Sequence, residues 1–367
     1  MLEPGGGPGA LDLAEELDRL GRLDTLDVLI LLTPMSRSNG WDERSTAIVK
    51  KRGTAQQKGS GPRAALDAAA VAEGGSAERR SEGGIQGLIA KRAAAATEHA
   101  LEGPNQKLMR AQKHVWVALC DYYFRLETSG WERLPQQTSL LIGNHSGGAL
   151  TMDAWTFVFD WWRRFGTERV LHATAHDVLM AAPGLGDYFR QVGVIPASRQ
   201  GVSAALSAGR DVIIWPGGEV DAMRNWRRRD QVVLGGREGF VRQAIRSGVP
   251  IVPVASVGGH DTVFVLSEGR WLANALDRVA GLKKKLRGET LPIMLGLPFG
   301  LTVETIPTHL PLPAKIRTEL LDPIHVDKDP ERVNDRDYVD SIYLEVQSAI
   351  QDAMDRLAKQ RRFPIFG

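Results

Sequence analysis

The chain has 367 residues, with 46 Lys+Arg against 44 Asp+Glu, a net charge of +2, 43% hydrophobic and 25% charged residues. This balance excludes the broad basic field of a generic nucleic-acid binder and an acidic solvating tail, so no nucleic-acid partner is expected and any basic patch is local. A single cysteine, Cys120, excludes a disulfide scaffold and a cysteine-based zinc site.

In chain order, the first residues form a Gly/Pro-rich run with no basic flank and apolar core, so no secretory signal is expected. Leu11, Leu13, Leu17, Leu20 and Leu23 recur at helical intervals and suggest a short amphipathic helix. Residues 36–84 mix Ser, Gly, Gln, Lys and Arg with an Ala run. Such a segment buries too little apolar surface to offset its ordering entropy and reads as a disordered linker. Residues 1–104 are thus an N-terminal extension, 105–330 a catalytic body, and 331–367 a C-terminal helix packing on it. Apolar runs such as 28–32 and 139–142 fall far short of the roughly 20 residues that cross a bilayer, so no transmembrane helix is expected.

Within the catalytic body the elements alternate. "TSLLIGN", "RVLHATA", "DVIIWP" and "PIVPVASVG" are short apolar, β-branched runs that read as buried strands. Helical segments are expected over 153–165, 201–208 and 237–246, the last two stopping at Gly209 and Gly248, and a closing helix over 338–359. The fold class is α/β, with a largely parallel central sheet flanked by helices.

The densest chemical signal is "LLIGNHSGGALTMDAW", which places Asn144, His145, Ser146, Gly147 and Gly148 at a strand C-terminus and Asp153 at a helix start. Open α/β sheets bind ligands at that edge. A histidine there can take a proton from a hydroxyl, and a carboxylate on its other ring nitrogen fixes the tautomer. On a continuous helix the eight steps from His145 to Asp153 would cover about 12 Å, so the pair needs the glycines to turn the chain back. Asp153 either pairs with His145 in this way or caps the following helix. Backbone N–H groups near Gly147 or Gly218 are candidate donors to a developing oxyanion.

Four other segments carry charge or tight turns. Arg199 opens a helix where an anionic group would be held. Gly217, Gly218 and Glu219 make a turn that suits close backbone approach to a ligand, or a plain strand-to-helix connection. Arg224, Arg227, Arg228 and Arg229 around Trp226 read equally as a grip on lipid headgroups or as a solvated face. Trp271 to Arg287, with Lys283, Lys284 and Lys285, has the pattern of a basic amphipathic helix or of a core helix with a solvated end. His172 and His176 lie four apart, but in a strand-like run with no third ligand at useful spacing, so no metal site is expected. His260 follows a strand end and reads as a structural histidine. No G-x-S-x-G elbow, P-loop lysine motif or G-x-G-x-x-G is present.

In this order, "NHSGG" with Asp153, "GVIPASR", "IIWPGGE" and "GVPIVPVASVG" resemble the PlsC-type glycerolipid acyltransferases, over residues from about 115 to 326. The resemblance implies acyl transfer from acyl-CoA or acyl carrier protein, as donor substrate and without a resident cofactor, to a glycerolipid hydroxyl. It implies His145 as general base, Asp153 as its carboxylate partner, and Arg199 as the holder of the acceptor's headgroup. Two departures stand out. Seven residues separate His145 from Asp153 where the common pattern has four, and Gly217 stands where the common third block has glutamate. The "PGGE" form, with "GREGFVRQAIRSGVPIVPV", is similar to the type-2 diacylglycerol acyltransferase branch. That form points to an acceptor without a phosphate, mono- or diacylglycerol, as the alternative; the wider occurrence of the reaction and the arginines near the site make a lysophospholipid such as 1-acylglycerol-3-phosphate the expected acceptor. A catalytically silent lipid-binding protein and an esterase are the rival classes. The expected location is the cytoplasmic face of a membrane, held peripherally, and the oligomeric state is left open.

Overall fold

Seven successive buried residues make Ile251–Val257 a strand that can exist only with neighbours on both edges and layers on both faces. The structure, a computed structural model, provides both. It describes residues 101–274, 290–303, 309–361 and 363, so the 11–23 leucine pattern, the 36–84 linker and most of the 271–287 basic segment lie outside the described residues.

Ten strands among the described residues are numbered in chain order. Glu127–Ser129 (β1), Leu140–Gly143 (β2), Leu171–Ala175 (β3), Ile195–Pro196 (β4), Asp211–Ile214 (β5), Ile251–Val257 (β6) and Arg317–Leu320 (β10) form one sheet. Its spatial order is β1-β10-β6-β2-β5-β3-β4. The core of this sheet is parallel: β2 pairs with β5 (Leu141↔Ile213) and β6 (Leu141↔Val252), β3 pairs with β5, and β4 with β3. The expectation of a largely parallel sheet flanked by helices holds, with one addition. β10 runs antiparallel to β6 (Leu320↔Val254), carrying β1 as a parallel edge.

The alternation of strand side chains builds two cores. Leu140 and Ile142 point to one face, with Val212 and Ile251, against helices Arg199–Ser207 (α6), Gly239–Ser247 (α8) and Arg336–Lys359 (α9). Leu141, between them, points to the other face with Ile213 and Val252, where Met152–Phe165 (α3) contributes Phe157, Phe159 and Trp161. Other α-helices among the described residues are Gln106–Ala111 (α1), Lys113–Val117 (α2), Asp177–Ala181 (α4), Leu185–Gln191 (α5) and Gly218–Ala222 (α7). The 24 residues of α9 reach about 36 Å. Its buried side chains Val339, Ile342, Tyr343, Val346, Ile350, Ala353, Met354 and Leu357 keep helical spacing along the whole length, so it belongs to the core.

Caps set the helix starts. The Ser198 hydroxyl accepts from Gly201 N, so α6 begins two residues before the expected 201. Gly248, at φ 61°, stops α8 as its position suggested. A second, antiparallel sheet was not evident in the sequence: Phe264–Ser267 (β7), Ile293–Gly296 (β8) and Gly300–Val303 (β9), in the order β7-β8-β9.

His172, on β3, is wholly buried and donates from Nδ1 to the Gly193 carbonyl at 2.7 Å. Burial pushes its pKa down to about 4. Because the unfolded chain takes up this proton near the ordinary histidine value, the stability His172 confers is complete above pH 6.5 and is lost as pH falls towards 4. Between pH 7 and 5 the loss is about 2 kcal/mol. Urea unfolding at the two pH values should show this fall, and His172→Gln should show less of it by about that amount; equal pH slopes would contradict the assignment.

Candidate active site

Three loops meet at the C-terminal edge of the parallel strands: the one after β2 with His145, the one after β5 with Trp215, and the one after β6 with His260. The residues between His145 and Asp153 close the gap that a helix would leave open. Gly147 (φ 91°), Gly148 (φ 68°) and Thr151 (φ 40°) all lie in the left-handed region within five positions and fold the loop back on itself. A Cβ on Gly147 would stand 3.1 Å from the Gly259 carbonyl oxygen and 3.2 Å from Met152 N, so the turn also needs the missing side chain. Thr151 is β-branched and strained there by roughly 1–2 kcal/mol.

The loop brings Asp153 Oδ2 to 3.3 Å from His145 Nδ1, while Oδ1 accepts from Ser146 N at 3.1 Å. The pairing reading of Asp153 therefore replaces the capping one: both carboxylate oxygens serve the loop, and the helix N-cap is Thr151. Asp153 is 1% exposed and the His145 side chain 15%, so the carboxylate is shielded while the imidazole keeps a path to solvent. The His145 ring lies flat on the Trp215 indole, 4.7 Å between centroids and 2° between planes. With Nδ1 held by Asp153, Nε2 is the nitrogen left to meet a substrate hydroxyl. Gly143 permits the stack, since a Cβ there would fall 2.7 Å from the Trp215 ring nitrogen.

The backbone beneath His145 is anchored by a buried ion pair the sequence did not reveal. Asp221 and Arg224 are both fully buried and bonded to each other. Asp221 accepts from His145 N and from Val233 N at 3.0 Å. Arg224 donates to the carbonyls of His145 (2.6 Å), Asp221 (2.7 Å), Arg229 (2.9 Å) and Arg228 (3.2 Å). Burial pushes the Asp221 carboxyl up to about 6, against the pull of Arg224 and the His145 N–H. Gly217 makes room for it: a Cβ there would sit 2.0 Å from the Val233 carbonyl oxygen and 2.4 Å from Asp221 Cβ.

This corrects the reading of the arginine run as one surface. Arg224 is a buried clamp and Arg229 stacks over Trp226 at 4.1 Å, while Arg227 and Arg228 are exposed. The only local hint of the clamp was the i,i+3 spacing of Asp221 and Arg224, hidden inside an otherwise basic run. The other expected residues fall as follows. Asn144 lies below the loop, bonded both ways to the Ser256 backbone at 2.8 and 2.9 Å. Ser146 is buried, its hydroxyl against Gly259, where a Cβ would come within 2.1 Å of the oxygen. Glu219 and Gly218 sit in the first turn of α7, part-buried.

The two proposed oxyanion donors are engaged inside the protein. Gly147 N donates to His260 Nδ1 at 3.4 Å, and Gly218 N to the Trp215 carbonyl at 3.1 Å. Burial, then Arg224, holds His260 well below the usual histidine range, so it stays neutral and able to accept. Arg199 is exposed at the start of α6, after β4, three strands from β2 or about 14 Å across the sheet. His172 is buried in β3 and His176 caps α4 through Nδ1, so each serves a different element. A groove of about 720 Å³ runs beside β1, lined by Glu127, Arg163 and Arg317; no residue of the His145 loop lines it.

Removing Arg224 strands a buried carboxylate beneath the His145 loop. Arg224→Met is expected to cost about 3–5 kcal/mol by denaturant unfolding, with Arg224→Lys recovering only part because one ammonium replaces a fork with several donors. A cost within 1 kcal/mol of zero for Arg224→Met would refute the clamp.

The family model for "Diacylglycerol acyltransferase" matches residues 98–360, which include every element of the two sheets. An uncharacterized protein of Mycobacterium tuberculosis is 28% identical over 247 residues, 67% of this chain and 65% of that protein. The chain thus spans just under two thirds of the length of this curated relative. Diacylglycerol O-acyltransferase 2-like protein 6 of Mus musculus is 29% identical over 180 residues (47% of this chain, 52% of that one), and Diacylglycerol O-acyltransferase 2 of Homo sapiens 28% over 167 residues (43% and 42%). Among solved structures, the 1-acyl-sn-glycerophosphate acyltransferase PlsC of Thermotoga maritima aligns with 73% of this chain and 88% of its own, at a TM-score of 0.38 and 16% identity. The match over most of the chain makes this protein a member of the diacylglycerol acyltransferase family.

Proposed function

We propose that the protein transfers a fatty acyl group from acyl-CoA or acyl carrier protein to a glycerolipid hydroxyl, with His145 as general base. The observation that carries this reading is the shielded Asp153 on His145 Nδ1, with the ring braced flat against Trp215. His145 Nε2 removes the acceptor's hydroxyl proton as its oxygen attacks the thioester carbonyl. The tetrahedral intermediate then collapses, the C–S bond breaks, and the departing thiolate takes the proton back from Nε2. Ester and free thiol are formed in equal amounts and no external acid or oxidant is needed. Asp153 keeps the proton on Nδ1 and steadies the transient imidazolium.

A neutral acceptor, mono- or diacylglycerol, is the first choice. Arg224, from the cluster expected to grip headgroups, is spent on backbone carbonyls, and named relatives of this family act on diacylglycerol. A lysophospholipid acceptor is supported by one observation, exposed Arg199 at the same edge of the sheet. Both acceptors place the protein at a membrane surface, and among the described residues no helix is long and apolar enough to cross one.

The test incubates purified protein with labelled palmitoyl-CoA and monoacylglycerol, diacylglycerol, lysophosphatidate or water alone. Acylated neutral glyceride is expected, with a rate reduced about 10²–10⁴-fold in His145→Ala. Asp153→Asn should lower kcat more than it raises KM, because it disturbs the tautomer and not the binding. Product from lysophosphatidate alone, with a raised KM in Arg199→Ala, would move the acceptor to the phospholipid class. Turnover that survives His145→Ala, or fatty acid released to water alone, would overturn the mechanism.

A further inference from the structure

The small sheet has two faces of opposite character. Val265 of β7 and Met294 of β8 are fully buried, and that face packs on the catalytic loop: a Cβ on Gly148 would meet Val263 at 3.1 Å, Met294 at 3.4 Å and His309 at 3.5 Å. The registers Phe264↔Leu295, Leu295↔Leu301 and Ile293↔Val303 put these five side chains together on the opposite face. There Leu295, Leu301 and Val303 are 45%, 65% and 54% exposed.

The β8–β9 turn continues the same surface. Between Gly296 and Gly300 it reads Leu297, Pro298, Phe299, with Leu297 58% and Phe299 70% exposed. Hairpin turns that face water are built from Asn, Asp and Gly, which hydrogen-bond locally and are well hydrated. A turn of leucine, proline and phenylalanine, at the end of an apolar sheet face, is instead suited to an apolar medium.

Charge beside this face identifies the medium. Trp226 packs on Phe264 at 5.5 Å, and the exposed Arg227 and Arg228 follow it directly; Asn225 ties this turn to the β7 backbone at Leu266. At the other end of β7 come Arg270 and Trp271, the latter 64% exposed. The chain joining β7 to β8, residues 268–292, holds six basic residues against three acidic ones, including Lys283, Lys284, Lys285 and Arg287. An apolar tip, with Trp226, Trp271, Arg227, Arg228 and Arg270 beside the same sheet, has the features that an anionic bilayer surface rewards, by insertion and by attraction to headgroups.

Resting on the acyl-transfer reading for its purpose, we infer that the outer face of the β7–β9 sheet, with Leu297 and Phe299 at its tip, is the surface that docks this protein onto an anionic lipid bilayer. Met294 of the inner face and Val263, next to β7, lie against Gly148, so docking would set the His145 loop next to the lipid from which the acceptor hydroxyl comes.

The test uses the full chain and needs no turnover, so it stands apart from the acyl-transfer assay. Sedimentation with vesicles of equimolar phosphatidylcholine and phosphatidylglycerol should show binding, and the variant Leu297→Ser, Phe299→Ser, Leu301→Ser should bind about 100-fold more weakly. All three side chains are exposed, so its unfolding temperature should match wild type and exclude a folding defect. A change of Lys283, Lys284 and Lys285 to Gln should weaken binding to these vesicles, and salt should reduce that difference. Because Cys120 is buried, Phe299→Cys can carry a polarity-sensitive nitrobenzoxadiazole label, whose emission should rise and shift blue on the vesicles. Unchanged vesicle binding by the triple serine variant, or an unchanged label spectrum, would overturn the proposal. So would a wild-type dimer in sedimentation velocity that the serine variant abolishes, since the face would then belong to a second copy.

Discussion

The buried pair of Asp221 and Arg224 is the constraint on which the site is built. Neither side chain reaches the reacting atoms, yet the carboxylate holds the His145 N–H and the guanidinium holds the His145 carbonyl. The peptide units on both sides of His145 are thereby locked to the loop after β5. Two charges out of water are costly, and that cost is offset only because each has a nearly full set of partners. The glycines around the pair follow from it. Gly217 is where the chain passes the Asp221 side chain, and Gly143 is where β2 passes the indole on which His145 rests.

The rest of the site follows from the sheet. Parallel β2, β5 and β6 end at one edge, so the loops carrying His145, Trp215 and His260 converge without any long-range design beyond strand order. Within that convergence the His145 loop uses three left-handed residues to shorten about 12 Å of helical path to one hydrogen bond. The imidazole is therefore oriented in advance, as the proposed role of His145 as general base requires. The same loop is roofed beside Gly148 by Val263, Met294 and His309, while the other face of the small sheet leaves Leu295, Leu301 and Val303 exposed.

The parts of this arrangement that could be read from the sequence are those whose environment is encoded locally. The β2, β5 and β6 strands are largely apolar because both faces are covered, and His145 stands out as a polar residue just past the end of β2, with Asp153 in the first turn of the helix that follows. β10, by contrast, reads Arg-Thr-Glu-Leu, and it takes its place in the sheet by pairing with β6 some 60 residues earlier. The β7–β9 strands are four residues each, too short for a periodic signal, and their apolar outer face breaks the alternation expected of a sheet facing water. Arg224 looked like its neighbours, since nothing in a run of arginines says which one is turned inward. Burial there is decided by Asp221 and by the His145 carbonyl, almost 80 residues upstream.

The claim that Asp153 sets the state of His145 can be read directly from nitrogen NMR of the ¹⁵N-histidine-labelled protein, with His145→Ala assigning the signal among the 8 histidines. In its neutral form His145 should show a protonated Nδ1 and a bare Nε2, and Asp153→Asn should convert this to a mixture of tautomers. A bare Nδ1 with the proton on Nε2 in the wild-type protein would contradict the dyad, because the nitrogen facing the substrate would then have no lone pair to receive its proton.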